Sequence, residues 1–533
     1  MASNQLQIFQ QCLKSSTILF NLAILIIFIA LCPQQSSQQD MTVQATCDYN
    51  YDSKGIYTCD FNISAPVNST YFLDITGIHL DNHTDADVKA VNIQNATFVS
   101  FNEEVMKKFA NLMILNFNGG KIQEFSPNSF EACQNLEIIT SVLHQVTTFP
   151  PQMLKNCKKL RIFDVYGQNL EEVPEDLFGM TENLEEFRLM TFKITSLPEK
   201  LLQNMKNLTI LGISGNELTE LHPNFLIAAV NLEHVDISFN KFEDQLKLTY
   251  ALNGHPNVKK LFLQYNYFNH FDFRFFSQFQ KLEELNIGII YKNLSDISWK
   301  SLPSSMLHLS IDNIAEDILE NSLDRLVNLK SLNLSGRGIM NLQKDIFKTL
   351  TNLEMLEIFF TNIKSLHPEM FMNLINLSDL KIRNNKIQDL PAGIFASLVN
   401  LGIKSDNHGL KMTSNEITRL NADSFGLHPH LRFIEFSGNK INEIEPGIFS
   451  KFNSNLTHAY FYINKCVDGK FSGENLDDND AFSLCFKNWE EIVPTTEATT
   501  EDTTPGSAGF NFKKFEIFAI IFIGLLSKLM QNM

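Results

Sequence analysis

The chain of 533 residues carries a formal net charge of −17, with 44% apolar and 19% charged residues. That is the composition of an ordered, core-forming protein, and it excludes an intrinsically disordered one. The acidic balance, with no long run of like charge, excludes a nucleic-acid arm and makes nucleic acid and anionic membrane surfaces poor partners for the surface as a whole.

Residues Ser15 to Cys32 form an apolar run after a start that carries only Lys14. Its length fits a secretory leader better than a membrane span, so residues 1–32 are expected to be a signal peptide, with an uncleaved anchor as the alternative. Residues 33–87 carry the phrase CDYNYDSKGIYTCDFN and lack the pattern that follows, which makes them a cap. Export also places the chain where disulfides form.

From residue 88 to 463 the sequence repeats with a period of about two dozen residues. One unit states the rule: Leu208, Leu211, Ile213, Asn216, Leu218 and Leu221, closed by Phe225 and Asn231 before the next unit opens at Leu232. The alternation at Leu211 and Ile213 describes a short strand, and the wider spacing after it describes a return arm. Units open at Val88, Leu112, Leu136, Leu160, Leu184, Leu208, Leu232, Val258, Leu282, Met306, Leu329, Leu353, Leu377, Leu401, Leu431 and Leu456. Roughly fifteen coils and a closing strand result, each able to bury its leucines only against its neighbours. The pattern asparagine stands at Asn216, Asn240, Asn266, Asn385, Asn415, Asn439 and Asn464, where an amide can satisfy backbone groups at the turn. Gly120, His144, Gln168, Phe192, Arg337 and Thr361 replace it elsewhere, and those coils are expected to be less regular.

These residues resemble the extracellular leucine-rich repeat family, of the type with a phenylalanine in the return arm. The resemblance implies an α/β solenoid: a horseshoe with parallel strands on its concave face, irregular or short helical return arms and a cap at each end. It implies a binding surface, usually for protein, and no chemistry. The cap phrase is similar to the amino-terminal region of insect, particularly dipteran, leucine-rich repeat proteins of the cell surface and haemolymph.

Irregularities fall at Leu232, between Leu282 and Met306, and at Leu401, where six extra residues, 401–406, precede a resumed pattern at Leu410. An insertion in such an array reads as a rim loop. Residues 464–490 form a second cap, and 491–509 are a Thr/Pro/Glu stretch expected to be an extended stalk. Residues 510–533 end in a short apolar segment. Gly506 and Ser507 followed by a spacer fit a glycolipid-anchor signal, with a short membrane span or plain secretion as alternatives.

Six cysteines follow the leader and fall into three local pairs, although other connectivities exist in principle. Cys47 and Cys59 flank a loop before the repeats, and Cys466 and Cys485 flank one after them. Cys133 and Cys157 lie one period apart and should face each other in adjacent coils. Candidate glycosylation sites are Asn62, Asn68, Asn82, Asn95, Asn293 and Asn333. Asn207, Asn376 and Asn455 also open sequons but directly precede strands, where burial would protect them. A glycan on Asn333 would obstruct the middle of the inner face.

No nucleophile elbow, zinc-binding helix, phosphate loop or dinucleotide fingerprint is present, so no enzyme and no cofactor are expected. His428 and His430 lack acidic or thiol neighbours in sequence, and Asp477, Asp478 and Asp480 lack the rest of a calcium loop. The informative residues are those alternating with the strand leucines. Near the amino end they are Arg161, Asp164, Tyr166, Arg188 and Met190. Toward the carboxy end, Phe359, Lys381, Arg383, Lys411, Tyr460 and Tyr462 make a locally basic and aromatic group, the composition of a protein-recognition patch, together with Thr413 and Glu435. The expectation is an anchored surface protein on the outside of the plasma membrane, acting in recognition or adhesion and resembling insect molecules such as chaoptin and connectin. Its partner would be a protein ligand or receptor, with homophilic contact left open. The alternative is a soluble or co-receptor innate-immune pattern-recognition binder, resembling Toll-type ectodomains.

Overall fold

A computed structural model describes residues 41–63, 71–94, 97–117, 121–179, 181–288, 294–452, 456–473 and 476–489. The leader, Asn68, Asn95, Asn293, Asn455, the stalk, and Gly506 and Ser507 lie outside these residues. Among the described residues no helix is long and apolar enough to cross a membrane.

A 20-stranded sheet runs through the repeats. Its parallel ladder passes coil by coil from Ala90–Ile93 to His458–Tyr460, in register two residues after the predicted unit starts except at Leu401, where the insertion delays the strand to Leu410–Lys411. Alternation does the folding work. Leu356, Ile358, Leu380 and Ile382 point inward and are fully buried, while Glu357 and Lys381 between them face out. Return arms are irregular, with short 3-10 turns and a helix at Gln245–Leu252 that takes up the extra residues of its coil. Phenylalanines one period apart form an inner spine, with Phe347, Phe371 and Phe395 stacked at 6.2 and 6.4 Å between ring centroids.

The pattern asparagines are staples between coils. Asn266 donates through Nδ2 to Ile237 O and Leu263 O, both at 3.0 Å, and its Oδ1 accepts from Phe242 N at 3.2 Å. Asn240, Asn385, Asn415, Asn439 and Asn464 repeat this arrangement. Asn216 opens the series: the coil before it carries Phe192 at the place, and its buried Oδ1 has no partner among the described residues. Where Thr361 replaces asparagine, its hydroxyl bonds Asn385 Oδ1, so the staple is kept by a shorter side chain.

The closing asparagines form a second, outer series. Asn328, Asn352, Asn376 and Asn400 each donate to a carbonyl of the preceding coil at 2.7–2.9 Å. Asn207 and Asn376 are exposed rather than buried, because the end of the return arm lies at the rim of the stack.

Both ends are closed. At the amino end, Met41–Tyr51 pairs antiparallel with Tyr57–Ile63, which joins the first coil's strand, and Cys47–Cys59 links the two with Cα atoms 5.1 Å apart. Cys133 and Cys157 are bonded across adjacent coils, and Cys466–Cys485 ties the last turn to the helix Ser483–Lys487. The three pairs are those expected from local spacing.

Replacing Asn266 by Ala leaves the Leu263 carbonyl and the Phe242 N–H without partners in a fully buried place, while Ile237 O keeps Asn240, at about 1–3 kcal/mol for each unmet group, offset by relaxation. We expect a loss of about 3 kcal/mol in denaturant unfolding, against under about 0.5 kcal/mol for an exposed control such as Lys364→Ala.

Candidate protein-binding face

Because side chains alternate along each strand, the outward positions of successive coils line up in columns about 4.8 Å apart. The central column reads Asp60, Asn92, Asn116, Thr140, Asp164, Arg188, Gly212, Asp236, Phe262, Asn286, Ser310, Asn333, Glu357, Lys381, Lys411, Glu435 and Tyr460.

Its amino-terminal part is occupied by its own hydrogen bonds. Asn92 donates to Asp60, Asn116 to Asn92 and Thr140 to Asn116, at 2.7, 2.7 and 2.5 Å. Arg188 pairs with Glu186 and lies 3.5 Å from Asp164, whose carboxyl burial pushes above its usual range against the pull of Arg188. Exposed Arg161 bridges Glu185 and Glu137 at 2.8 and 3.7 Å.

The carboxy-terminal part brings the predicted residues together. Glu357, Lys381, Lys411, Glu435 and Tyr460 are neighbours in register, Phe359 stands beside Arg383, and Tyr460 lies 6.1 Å from exposed Tyr462. Lys381, Arg383, Lys411, Thr413, Phe433 and Glu435 line an open depression of about 650 Å³.

The group is not basic, however. Asp379, only 1% exposed, sits under it with Lys381 Nζ at 2.9 Å and Lys411 Nζ at 3.6 Å, and Arg383 is paired with Glu357. Lys411 also lies over the Phe433 ring at 4.7 Å. Burial pushes the Lys411 ammonium below its usual range although Asp379 opposes this, and pushes the Glu435 carboxyl up. Sequence reading missed Asp379 and Glu357 as counter-charges. The signal was present in the alternation, since Glu357 and Asp379 stand on the same outward positions as the cations.

The insertion at 401–406 is a clamp on this group rather than a free rim loop. Gly402 N donates to Ser378 O at 2.9 Å, Gly409 N to Asp379 Oδ1 at 3.1 Å, and Lys411 Nζ to Asn407 O at 2.6 Å. Lys404–Glu354 and Arg432–Asp406 fix its two sides at 2.6 and 2.8 Å.

Enclosed atoms unpartnered among the described residues occur in both the amino-terminal and the carboxy-terminal part, at Asp164 Oδ1 and Ser437 Oγ, and in the middle of the sheet they are amide oxygens. Gln264 Oε1, Asn286 Oδ1 and Asn333 Oδ1 are enclosed acceptors without hydrogen-bond partners among the described residues. Buried His428 belongs to the core: its Nδ1 lies 3.2 Å from Leu398 O and its ring stacks on Phe452. Asp477 accepts from the Phe449 and Ser450 N–H groups. Among the described residues no three His, Cys, Asp or Glu side chains are placed to hold a metal ion.

A leucine rich repeat model matches residues 327–387 and 351–402, and a BspA type leucine rich repeat region matches 82–209 and 123–246. No curated protein sequence matches the chain. Among solved structures, a leucine-rich repeat protein of Leptospira interrogans shares 21% identity over 71% of this chain and 85% of its own, with a TM-score of 0.52. The Drosophila Toll–Spatzle complex, in its glycosylated form, matches at 16% identity, 80% of this chain, 62% of that chain and a TM-score of 0.51. TLR13 in complex with ssRNA13 matches at 20% identity over 67% of this chain and 48% of its own, with a TM-score of 0.45. The chain thus spans about half of one of these relatives and under two thirds of another. The Leptospira and Toll likenesses establish the fold.

Asp379→Ala removes the anchor shared by Gly409, Lys381 and Lys411. We expect amide hydrogen exchange in 402–409 to quicken by about tenfold, a loss of about 1.4 kcal/mol in local opening, with exchange near Asn240 unchanged.

Proposed function

We infer that this leucine-rich repeat protein is a cell-surface recognition or adhesion molecule that binds a protein partner on the outward face of its sheet, without catalysis. The observation that carries the reading is the face itself. The inward positions are consumed by the core and the turn amides by the staples, so the continuous outward columns are the surface free to vary. They mix charged, amide and aromatic side chains, the composition of protein contact surfaces. The Toll chain in complex with Spatzle is a precedent of the same fold beside a protein partner. The net charge of −17 favours a protein over a nucleic acid.

Anchoring is part of this proposal. The leader at 1–32, the stalk at 491–509 and the Gly506–Ser507 signal would present the repeats outside the plasma membrane on a glycolipid. Glycans on Asn62 and Asn82, both exposed on the amino-terminal cap, would leave the later coils clear.

The test mixes differently labelled cells with and without the protein, counted before and after phosphatidylinositol-specific phospholipase. We expect clusters of expressing cells alone, dispersed by the enzyme. Absence of clusters before and after treatment contradicts adhesion and shifts the assignment to an innate-immune binder, circulating or beside a co-receptor.

A further inference from the structure

The middle of the sheet holds a carboxylate with no counter-charge. Asp312 follows the strand His308–Ile311 on the outward face. Its Oδ1 accepts from the Ser335 hydroxyl at 2.9 Å, and no cation lies within ion-pair distance among the described residues. On this face Asp164, Glu284, Glu357 and Asp379 each have a lysine or arginine within 4 Å. Asp60, Asp236 and Glu435 share with Asp312 the lack of one among the described residues, Asp60 and Asp236 being met by amide or hydroxyl donors.

Gly288 explains where the Asp312 side chain lies. The glycine is buried in the adjacent coil, and a Cβ on it would stand 2.7 Å from Asp312 Cβ and 3.3 Å from Asp312 Oδ2. The carboxylate therefore lies over a position that must lack a side chain. It leans toward the next coil, where Tyr265 N is bonded to Gly288 O at 2.9 Å. The third outward column runs Gln264, Gly288, Asp312 in these coils, so the enclosed and unpartnered Gln264 Oε1 stands on the far side of the glycine.

Aromatic rings border the same slot. Tyr265 and Phe239, 43% and 42% exposed, stack with centroids 4.4 Å apart. Both stand at left-handed backbone, with φ of 59° and 53°, on turns where the neighbouring coil uses Gly215 at 70°. Bulky side chains are disfavoured there, and these two gain little core burial in return. Burial pushes the Tyr265 hydroxyl up, and the nearby Asp312 charge adds to it.

A carboxylate without a counter-charge and an unpartnered amide oxygen beside an exposed aromatic face describe a receptor for an organic cation. A guanidinium is planar, stacks on tyrosine and donates in a fork to a carboxylate. A bare metal ion fits poorly, since one carboxylate and two rings supply too few hard oxygens. We propose that Asp312, Gln264, Tyr265 and Phe239, with Gly288 as floor, form the seat for an arginine side chain of the protein partner. The inference rests on the reading of this face as the binding surface and names the chemistry it selects.

The probe is a biotinylated Gly-Arg-Gly-Arg-Gly peptide, tetramerised on streptavidin and applied to cells displaying the full chain. Twins carry citrulline, which keeps the shape and loses the charge, or glutamate. We expect arginine to stain about tenfold above citrulline, the worth of one charge-assisted contact, and glutamate not at all. Asp312→Asn keeps the shape and the Ser335 contact and should bring arginine staining down to the citrulline level. Gly288→Ala, which displaces the carboxylate, and Tyr265→Ala should each reduce it several-fold. Lys364→Ala, an exposed position outside the binding residues, should leave it unchanged. Thermal melting of each variant separates misfolding from loss of the seat. Equal staining by arginine and citrulline, full staining of a folded Asp312→Asn, or no staining of the wild type overturns the proposal. Cell clustering that persists in a chain that takes no arginine peptide rejects the seat alone; arginine staining without clustering rejects adhesion alone.

Discussion

The structure depends on hydrogen bonding between neighbouring coils. Each coil is too small to bury its own leucines, and each turn would bury unmet amides if it stood alone. The parallel ladder pairs the strand backbones, and the asparagine amides pair the turn backbones that the ladder cannot reach. One Asn240 side chain satisfies carbonyls of two coils and a third group through its oxygen. Only after these groups are met can Leu211, Leu218, Leu261 and their equivalents pack with no exposed surface. The disulfide-bonded ends finish the same task where no further coil follows.

That division of labour decides where recognition can occur. The outward columns carry no core duty, yet much of their polarity is already spent. Toward the amino end an amide and hydroxyl chain from Asp60 to Thr140 bonds within itself, and toward the carboxy end Asp379 and Glu357 neutralise the cations above them. A partner docking on paired charges must desolvate them for little return, whereas one that meets unpaired acceptors gains bonds that the free protein lacks. On the proposed reading, the contrast puts the weight of recognition on the coils around Asp312 and leaves the carboxy-terminal group, clamped by its insertion, a part in shape.

The periodic features were legible in the sequence because each depends on residues at fixed offsets. Leucine alternation gave the strands and their register, the recurring asparagines gave the staples, and Cys133 and Cys157 sat one period apart. What escaped depends on neighbours that the period does not set. Asp379 stands in the same alternation as Lys381 and Arg383, but its burial goes with the insertion, which brings Gly409 N to its Oδ1. Asp312 looks ordinary until Gly288 and Ser335, from the coils on either side, are placed against it. Asn376 was expected to be buried by its strand, but the strand begins after it and the rim leaves it in solvent.

One residue tests whether the middle of the sheet is the working surface. Asn333 opens a sequon between Ser310 and Glu357, its Oδ1 is enclosed, and the hydroxyl of its Ser335 is committed to Asp312. A glycan there would cover the central coils. Glycopeptide mass spectrometry of the chain exported from insect cells should find Asn82, exposed on the cap, modified and Asn333 bare. Asn333 found largely glycosylated would contradict the account, because the face assigned to the partner would be filled by sugar.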